Sequence, residues 1–217
     1  MMRTDVSSLS EPPADCTLCP RLVEYRTENK ISYPNFYNGA VSSWGPEDAQ
    51  ILIVGLAPGV KGANRTGRPF TGDFAGDLLY ETLGRYGLAV GTYGQSPNDG
   101  LVLKNTMITN AVRCVPPQNK PVGEEIRTCG QFLKNKINKM PEIKVIMALG
   151  LIAHNAIHTV LGVRKKDYPF SHNARHELPN GLVLIDSYHC SRYNTNTRRL
   201  TVEMFSDVIA RLAAEVN

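Results

Sequence analysis

Four short apolar runs dominate the chain from residue 51 onward: "ILIVGL" from Ile51, "TMITNAV" from Thr106, "KVIMALG" from Lys144 and "LVLID" from Leu182. Each is continuous rather than alternating, the pattern of a strand covered on both faces. Helical patterning follows each one: "GDLLYETLGRYG", "GEEIRTCGQFLKNKINKM", "LIAHNAIHTVLG" and "RRLTVEMFSDVIARLAAEV". In the last of these, Leu200, Met204, Phe205, Val208, Ile209 and Leu212 fall on one helical face. Strand then helix, repeated, predicts an α/β domain built on a mainly parallel sheet. Ligands of such sheets bind beyond the carboxyl ends of the strands. That rule singles out "GLAPGVKGANRTGRPFTGD", "NAVRCVPPQNKP", "GLIAHN" and "SYHCSRYNTNT".

Composition agrees with one packed domain: 42% of the residues are hydrophobic and 20% charged. Residues 1–14, rich in Ser and Pro, read as a loose tail, and residues 15–217 as a single domain without linkers or repeats. The net charge of +4 permits a polyanionic partner without demonstrating one. There is no apolar leader and no run of about 18 apolar residues. The expectation is therefore a soluble, cytoplasmic protein, monomeric by default, away from membranes and with reduced cysteines.

Five cysteines then need a reason other than disulfides. Cys16 and Cys19 form a C-x-x-C pair ahead of the first strand; Cys114 and Cys129 are dispersed. Four thiolates suit structural zinc or an iron–sulfur cluster, and unliganded buried thiols are the plain alternative. Cys190 is left over.

The loop after the first strand is neither a Walker A loop nor G-x-G-x-x-G. Its Lys61, Arg65 and Arg68 can meet phosphates, or simply solvate a surface loop. Phe70 can stack on a planar ligand or anchor the core. Asp73 can position water or cap the helix that begins at "FAGDLLYETL". Of the five histidines, His189 alone directly follows a buried strand among polar groups. His154 with His158, and His172 with His176, lack a further ligand nearby and read as ordinary structural histidines.

Taken together, "GLAPGVKGANRTGRPFTGD", "AVRCVPPQNKP", "SYHCSRYNTNTRRLT" and "CTLCPRL" resemble the signature segments of family 5 uracil-DNA glycosylases. The resemblance runs from about Cys16 to the C-terminal helix. Family 4 enzymes share the layout but carry an acidic residue in the first motif, which "GLAPGVKGANR" lacks. The resemblance implies a three-layer α/β/α sandwich around a central four-stranded parallel sheet. It implies a 4Fe–4S cluster of structural role held by Cys16, Cys19, Cys114 and Cys129. The partner it implies is DNA containing uracil or another deaminated base, from which a base-excision repair glycosylase cleaves the N-glycosidic bond. A non-catalytic iron–sulfur nucleic-acid-binding protein is the competing class. The missing first-motif carboxylate, where Ala57 stands, speaks for it; retained Asp73, His189 and Asn194 speak against it.

A glycosylase must extrude the nucleotide to reach the bond. Cleavage builds positive charge on the sugar and negative charge on the base. By resemblance, Asp73 is the alternative carboxylate that positions water, and His189 donates to the base carbonyl as charge develops. Phe70 stacks on the base beside Ala57, and Asn110 reads its edge. Asn119 and Asn194 fall near the sugar, water or base, with Asn119 counted among the catalytic groups. Ser191, Arg192 and Tyr193, with Arg65, are the DNA-contacting set, Tyr193 as wedge and Arg192 as phosphate or base contact. Thr195 to Thr197 are candidate caps for the last helix. Relatives commonly read "N-T-x-T-G-R-L" here, and Arg198 replaces the glycine. Cys190 replaces a small apolar residue or proline and has no assigned role.

Overall fold

The computed structural model describes residues 8–216. Its elements are α1 (Pro20–Ser32), β1 (Ile51–Gly55), α2 (Ala63–Thr66), α3 (Phe74–Arg85), β2 (Ala89–Val90), β3 (Val102–Leu103) and β4 (Thr106–Asn110). They continue with α4 (Gly123–Lys139), β5 (Val145–Leu149), α5 (Leu151–Leu161), β6 (Arg175–Glu177), β7 (Val183–Ser187), α6 (Arg192–Asn196) and α7 (Val202–Ala214). All four apolar runs are strands, and all four helical patterns are helices. The main sheet has the order β4-β1-β5-β7-β6. Pairing among β4, β1, β5 and β7 is parallel. Every residue of β1, β4 and β5 is buried, as expected for strands with helices on both faces.

The sheet has five strands rather than four, because β6 joins β7 antiparallel. Arg175, His176 and Glu177 are polar, as is typical of a short edge strand protected by its charged side chains. An apolar-run search passes over such a segment. Two apolar layers sandwich the sheet. On one face α3 and α7 pack through Leu79, Leu83, Phe205 and Ile209 against Ile53 and Met147. On the other, α4 and α5 pack through Leu133, Ile137 and Ile157 against Leu52 and Ile146.

Two N-terminal features depart from the sequence reading. Helix α1 has Pro20 at its first turn, where a missing N–H costs nothing. Its Arg21 grips Glu125 of α4 with two 2.8 Å hydrogen bonds. Of the expected tail, residues 1–7 lie outside the described residues, whereas residues 9–12 pack at least in part against the domain. Leu9 joins an apolar cluster with Leu22 and Phe132. Glu11 pairs with the buried Arg113 at 2.8 Å and with the buried Lys136 at 2.9 Å. No described helix is long and apolar enough to cross a membrane.

Candidate active site

The sheet order reverses direction about β1, and a cleft of about 370 Å³ opens beyond the carboxyl ends of the strands. This is where α/β sheets bind ligands, and the size suits a small planar molecule. The loop after β1 supplies Ala57, Phe70 and Asp73; β4 and its loop supply Asn110 and Asn119; the loop after β7 supplies His189, Ser191 and Arg192. Eight of the sequence-predicted residues thus share one cavity, contributed by three separate loops.

The strand register explains the floor. Gly55 ends β1 opposite Asn110 of β4. A Cβ on Gly55 would lie 2.5 Å from Asn110 Oδ1 and 2.5 Å from Phe70 Cζ. Glycine is thus required where two site residues meet over the strand end. Asn110 is 3% exposed, a buried amide at the base of the cleft.

Phe70 and Asp73 form the wall after β1. Phe70 adopts φ 51°, a left-handed conformation that bulky residues avoid. Its ring lies 6.0 Å from that of His189, with 29° between the planes. Asp73 caps a helix and also lines the cleft. Its Oδ1 accepts from Gly76 N at 3.2 Å and caps α3. Its Oδ2 faces the Gly59–Gly62 turn, so closely that a Cβ on Gly62 would approach it to 2.2 Å. Burial raises the Asp73 pKa above its ordinary 3.8, against opposing hydrogen bonds from Gly76 and Ala75.

His189 keeps an edge open to the cleft, but its apolar surroundings strip away most of its water. Burial alone pushes its pKa down from 6.5 to about 4. The imidazole is therefore neutral at physiological pH, a hydrogen-bond donor rather than a cation. Asn194 does not line the cleft, contrary to expectation. Its Nδ2 donates to the His189 carbonyl at 2.8 Å, and so it fixes the histidine loop rather than reaching a ligand.

The remaining loop residues divide. Ser191 caps α6 through Asn194 N, and Arg192 lies over the Phe74 ring at 5.2 Å. Tyr193 is 72% exposed at the rim. Arg65 stays outside the cleft, with its Nε bonded to Lys61 O at 2.9 Å. Arg68 is not free for phosphate. It is buried and paired bidentately with Asp99 at 2.8 and 2.7 Å. Thr201, not Thr195–Thr197, caps α7, accepting from Met204 N at 3.1 Å. Thr195 and Thr197 bond back into α6. Cys190 is fully buried in the core and touches Ala75 O at 3.4 Å.

Arg198 has φ 56°. The glycine that the family pattern places there thus has a backbone reason, independent of any approach to DNA. Arg198→Gly should relieve about 0.5–1 kcal/mol of left-handed strain and raise Tm by roughly 1–3 °C. A thermal melt with unchanged or lower Tm would show that the strain is not there.

Of the other histidines, His154 and His158 are buried, and His172 and His176 are half-buried. Asp186 on β7 meets His154 Nδ1 at 2.7 Å and His176 Nε2 at 3.3 Å. His158 stacks on His154 with ring centroids 4.1 Å apart.

A second, apolar pocket is lined by Cys16, Cys19, Cys114 and Cys129, together with Leu22, Arg113 and Phe132. The four cysteines come from the segment before α1, the loop after β4, and α4. Burial, then the neighbouring thiols, pushes the Cys19 pKa up to about 11, and burial pushes Cys129 to about 12. Arg26 Nη1 lies 3.6 Å from Cys114 Sγ, and Arg113 N donates to Cys129 Sγ at 3.3 Å.

A family model described as the uracil DNA glycosylase superfamily matches residues 42–213. The type-5 uracil-DNA glycosylase of Thermus thermophilus is 45% identical over 199 residues, covering 89% of this chain and 90% of that protein. That of Pyrobaculum aerophilum is 37% identical over 207 residues, covering 93% and 89%. A type-4 uracil-DNA glycosylase from the same archaeon is 34% identical over 161 residues, covering 74% and 68%. By the span of the family match and the identity to its type-5 members, the chain belongs to the uracil-DNA glycosylase superfamily, on its type-5 branch.

Proposed function

We propose that this protein is a DNA-repair glycosylase that hydrolyses the bond between uracil and deoxyribose and leaves an abasic site, with other deaminated bases as further substrates. The observation that carries this reading is the meeting of an enclosed carboxylate, Asp73, and an enclosed neutral imidazole, His189, across one cleft with Phe70 and Asn110. Relatives named as uracil-DNA glycosylases, up to 45% identical, support it. The non-catalytic alternative is disfavoured, because the relatives that cover most of the chain are named as uracil-DNA glycosylases.

The chemistry follows from the two groups. The C1′–N1 bond breaks with its electron pair going to the base, and the sugar gains cation character. His189 donates a hydrogen bond to the base carbonyl as negative charge builds there. A preorganised donor in a dry site stabilises such charge strongly. Asp73 Oδ2 orients water toward C1′, stabilises the sugar charge and takes up a water proton as the new C1′–O bond forms. The departing base collects its proton from solvent. Phe70 stacks on the base, and Asn110 pairs with its edge through an amide that both donates and accepts. Ala57 takes the place of a larger polar group beside the base and leaves the pocket permissive. Asn119, at the cleft mouth, contacts the sugar or water, while Ser191, Arg192, Tyr193 and Arg65 meet the duplex. Asn194 acts through His189.

The residues around the second pocket fit a 4Fe–4S cluster held by Cys16, Cys19, Cys114 and Cys129. Two nitrogens of the buried Arg113, Nε and Nη2, have no hydrogen-bond partner among the described residues, a costly state unless an anion faces them. Four cysteine thiolates are the ligand set such a cluster takes. When bound, it supplies a covalent tie between the N-terminal segment, the β4 loop and α4, not a step in the reaction.

The test is release of uracil from an oligonucleotide, read as alkali-labile strand cleavage, with cluster-loaded protein. Cleavage confined to the uracil position is expected. An absence of alkali-labile sites would leave only the binding reading.

A further inference from the structure

Phe70 needs an explanation that the reaction does not supply. An aromatic residue at φ 51° holds a conformation that persists only where its surroundings over-determine it. The restraint comes from the chain between β2 and β3. Tyr93 Oη donates to Phe70 O at 3.2 Å and accepts from Gly72 N at 3.0 Å. One hydroxyl thus clamps both ends of the Phe70–Gly72 turn, immediately before Asp73. Tyr80 Oη adds a 2.5 Å hydrogen bond to Pro69 O. The first turn of α3 is pressed against the same carbonyl: a Cβ on Gly76 would lie 1.8 Å from Phe70 O and 2.5 Å from Tyr93 Oη.

The Tyr93 segment is itself tied down. Asp99 accepts from Gly94 N at 2.8 Å and from both ends of the Arg68 guanidinium. Arg68 Nε donates to Thr71 Oγ1 at 2.7 Å, and the guanidinium lies 4.5 Å from the Trp44 ring centre. The β2–β3 connection therefore reaches the site wall through two partly buried links, Tyr93 to the backbone and Asp99 to Arg68.

We propose that Tyr93 is a positioning residue, whose hydroxyl locks the Phe70–Asp73 turn in its strained form and so places the stacking ring and the carboxylate for base excision. The proposal rests on the glycosylase reading. The ring itself packs on Tyr80 with centroids 4.7 Å apart, so Tyr93→Phe removes the clamp and leaves the packing.

For Tyr93→Phe, single-turnover uracil release should fall by roughly 10–100-fold, since small misplacements of reacting groups cost about that much. Affinity for an uncleavable uracil analogue in DNA should stay within about twofold, and Tm should change little. Hydrogen exchange of the Gly72 amide should speed up by about tenfold or more, because it loses its acceptor. In a Phe70→Ala background, Tyr93→Phe should cost less than in the native enzyme, the coupling expected of groups that act as one. Wild-type rate in Tyr93→Phe, an undiminished cost in the Phe70→Ala background, or unchanged Gly72 exchange would each overturn the clamp. Failure of the native protein to release uracil would overturn the glycosylase reading instead, and the exchange at Gly72 would still report on the clamp.

Discussion

Asp73→Asn should lower single-turnover uracil release by roughly 10²–10⁴-fold while leaving the fold as stable as before or more so. The substitution separates the two tasks of this side chain. Asparagine caps a helix about as well as aspartate, so its Oδ1 can still accept from Gly76 N. The charge that faces the Gly59–Gly62 turn is lost. Burial raises the Asp73 pKa above its ordinary 3.8, so the ionised form is disfavoured in the folded state. At neutral pH this group opposes folding, and the penalty is relieved as pH falls toward the raised pKa. Removing the charge should therefore keep or raise Tm, whereas Asp73→Ala gives up the cap as well. A variant that loses activity only in proportion to lost stability would remove Asp73 from the chemistry.

The pH profile carries the same assignment. Activity should decline on the acid side with a midpoint above 3.8, as Asp73 takes up a proton, and that limb should vanish in the residual activity of Asp73→Asn. No inflection from His189 is expected near its ordinary 6.5, because burial holds its pKa at about 4. Its folded pKa lies below the unfolded one. The unfolded chain therefore binds a proton first as pH falls from 6.5 to 4, and the fold loses stability over that window. A rate inflection near 6.5 that disappears in His189→Ala would mean that the imidazole works as a cation.

What could be read from sequence alone divides along physical lines. The four central strands were legible because burial on both faces leaves a continuous apolar signature in β1 and β5. The site was legible as a set of loops because parallel topology sends every strand end to the same edge. Strand β6 was not, since Arg175–Glu177 owes its conformation to β7 rather than to its own polar residues. Arg68 looked like a phosphate contact because its partner Asp99 stands 31 positions away, and only the fold brings them together. Asn194 was placed in the loop after β7, and there the fold turns its Nδ2 to the His189 carbonyl. Whether an amide faces a ligand or the His189 carbonyl depends on a hydrogen-bond direction that composition does not encode. Asp73 shows the reverse case: the cap and the cleft carboxylate were posed as rivals, and its two oxygens divide the roles.

Loss of a single cluster ligand should have the other large effect. Cys129→Ser, prepared without oxygen, is expected to lose most of its bound iron and its brown visible absorption, and to melt roughly 10 °C below the native protein. The reasoning concerns charge as much as covalent ties. Arg113 is 1% exposed, and two of its guanidinium nitrogens lack partners among the described residues, while Arg26 reaches Cys114. Two buried cations facing an anionic cluster are compensated, whereas facing neutral thiols they are stranded, a state that costs about 3–5 kcal/mol when one partner of a buried pair is removed. Glu11 offsets only part of the Arg113 charge, through Nη1. The damage should be local in kind. Hydrogen exchange should rise in α1 and in the loop that carries Cys114 and Asn119, and stay slow in β1 and β5, whose core clusters contain none of the four cluster cysteines. Cys190→Ala is the matched control: the thiol is equally buried but packs among core side chains, so iron content should not change. Native protein that is colourless and free of iron, or Cys129→Ser that matches it in iron and Tm, would remove the cluster from this fold.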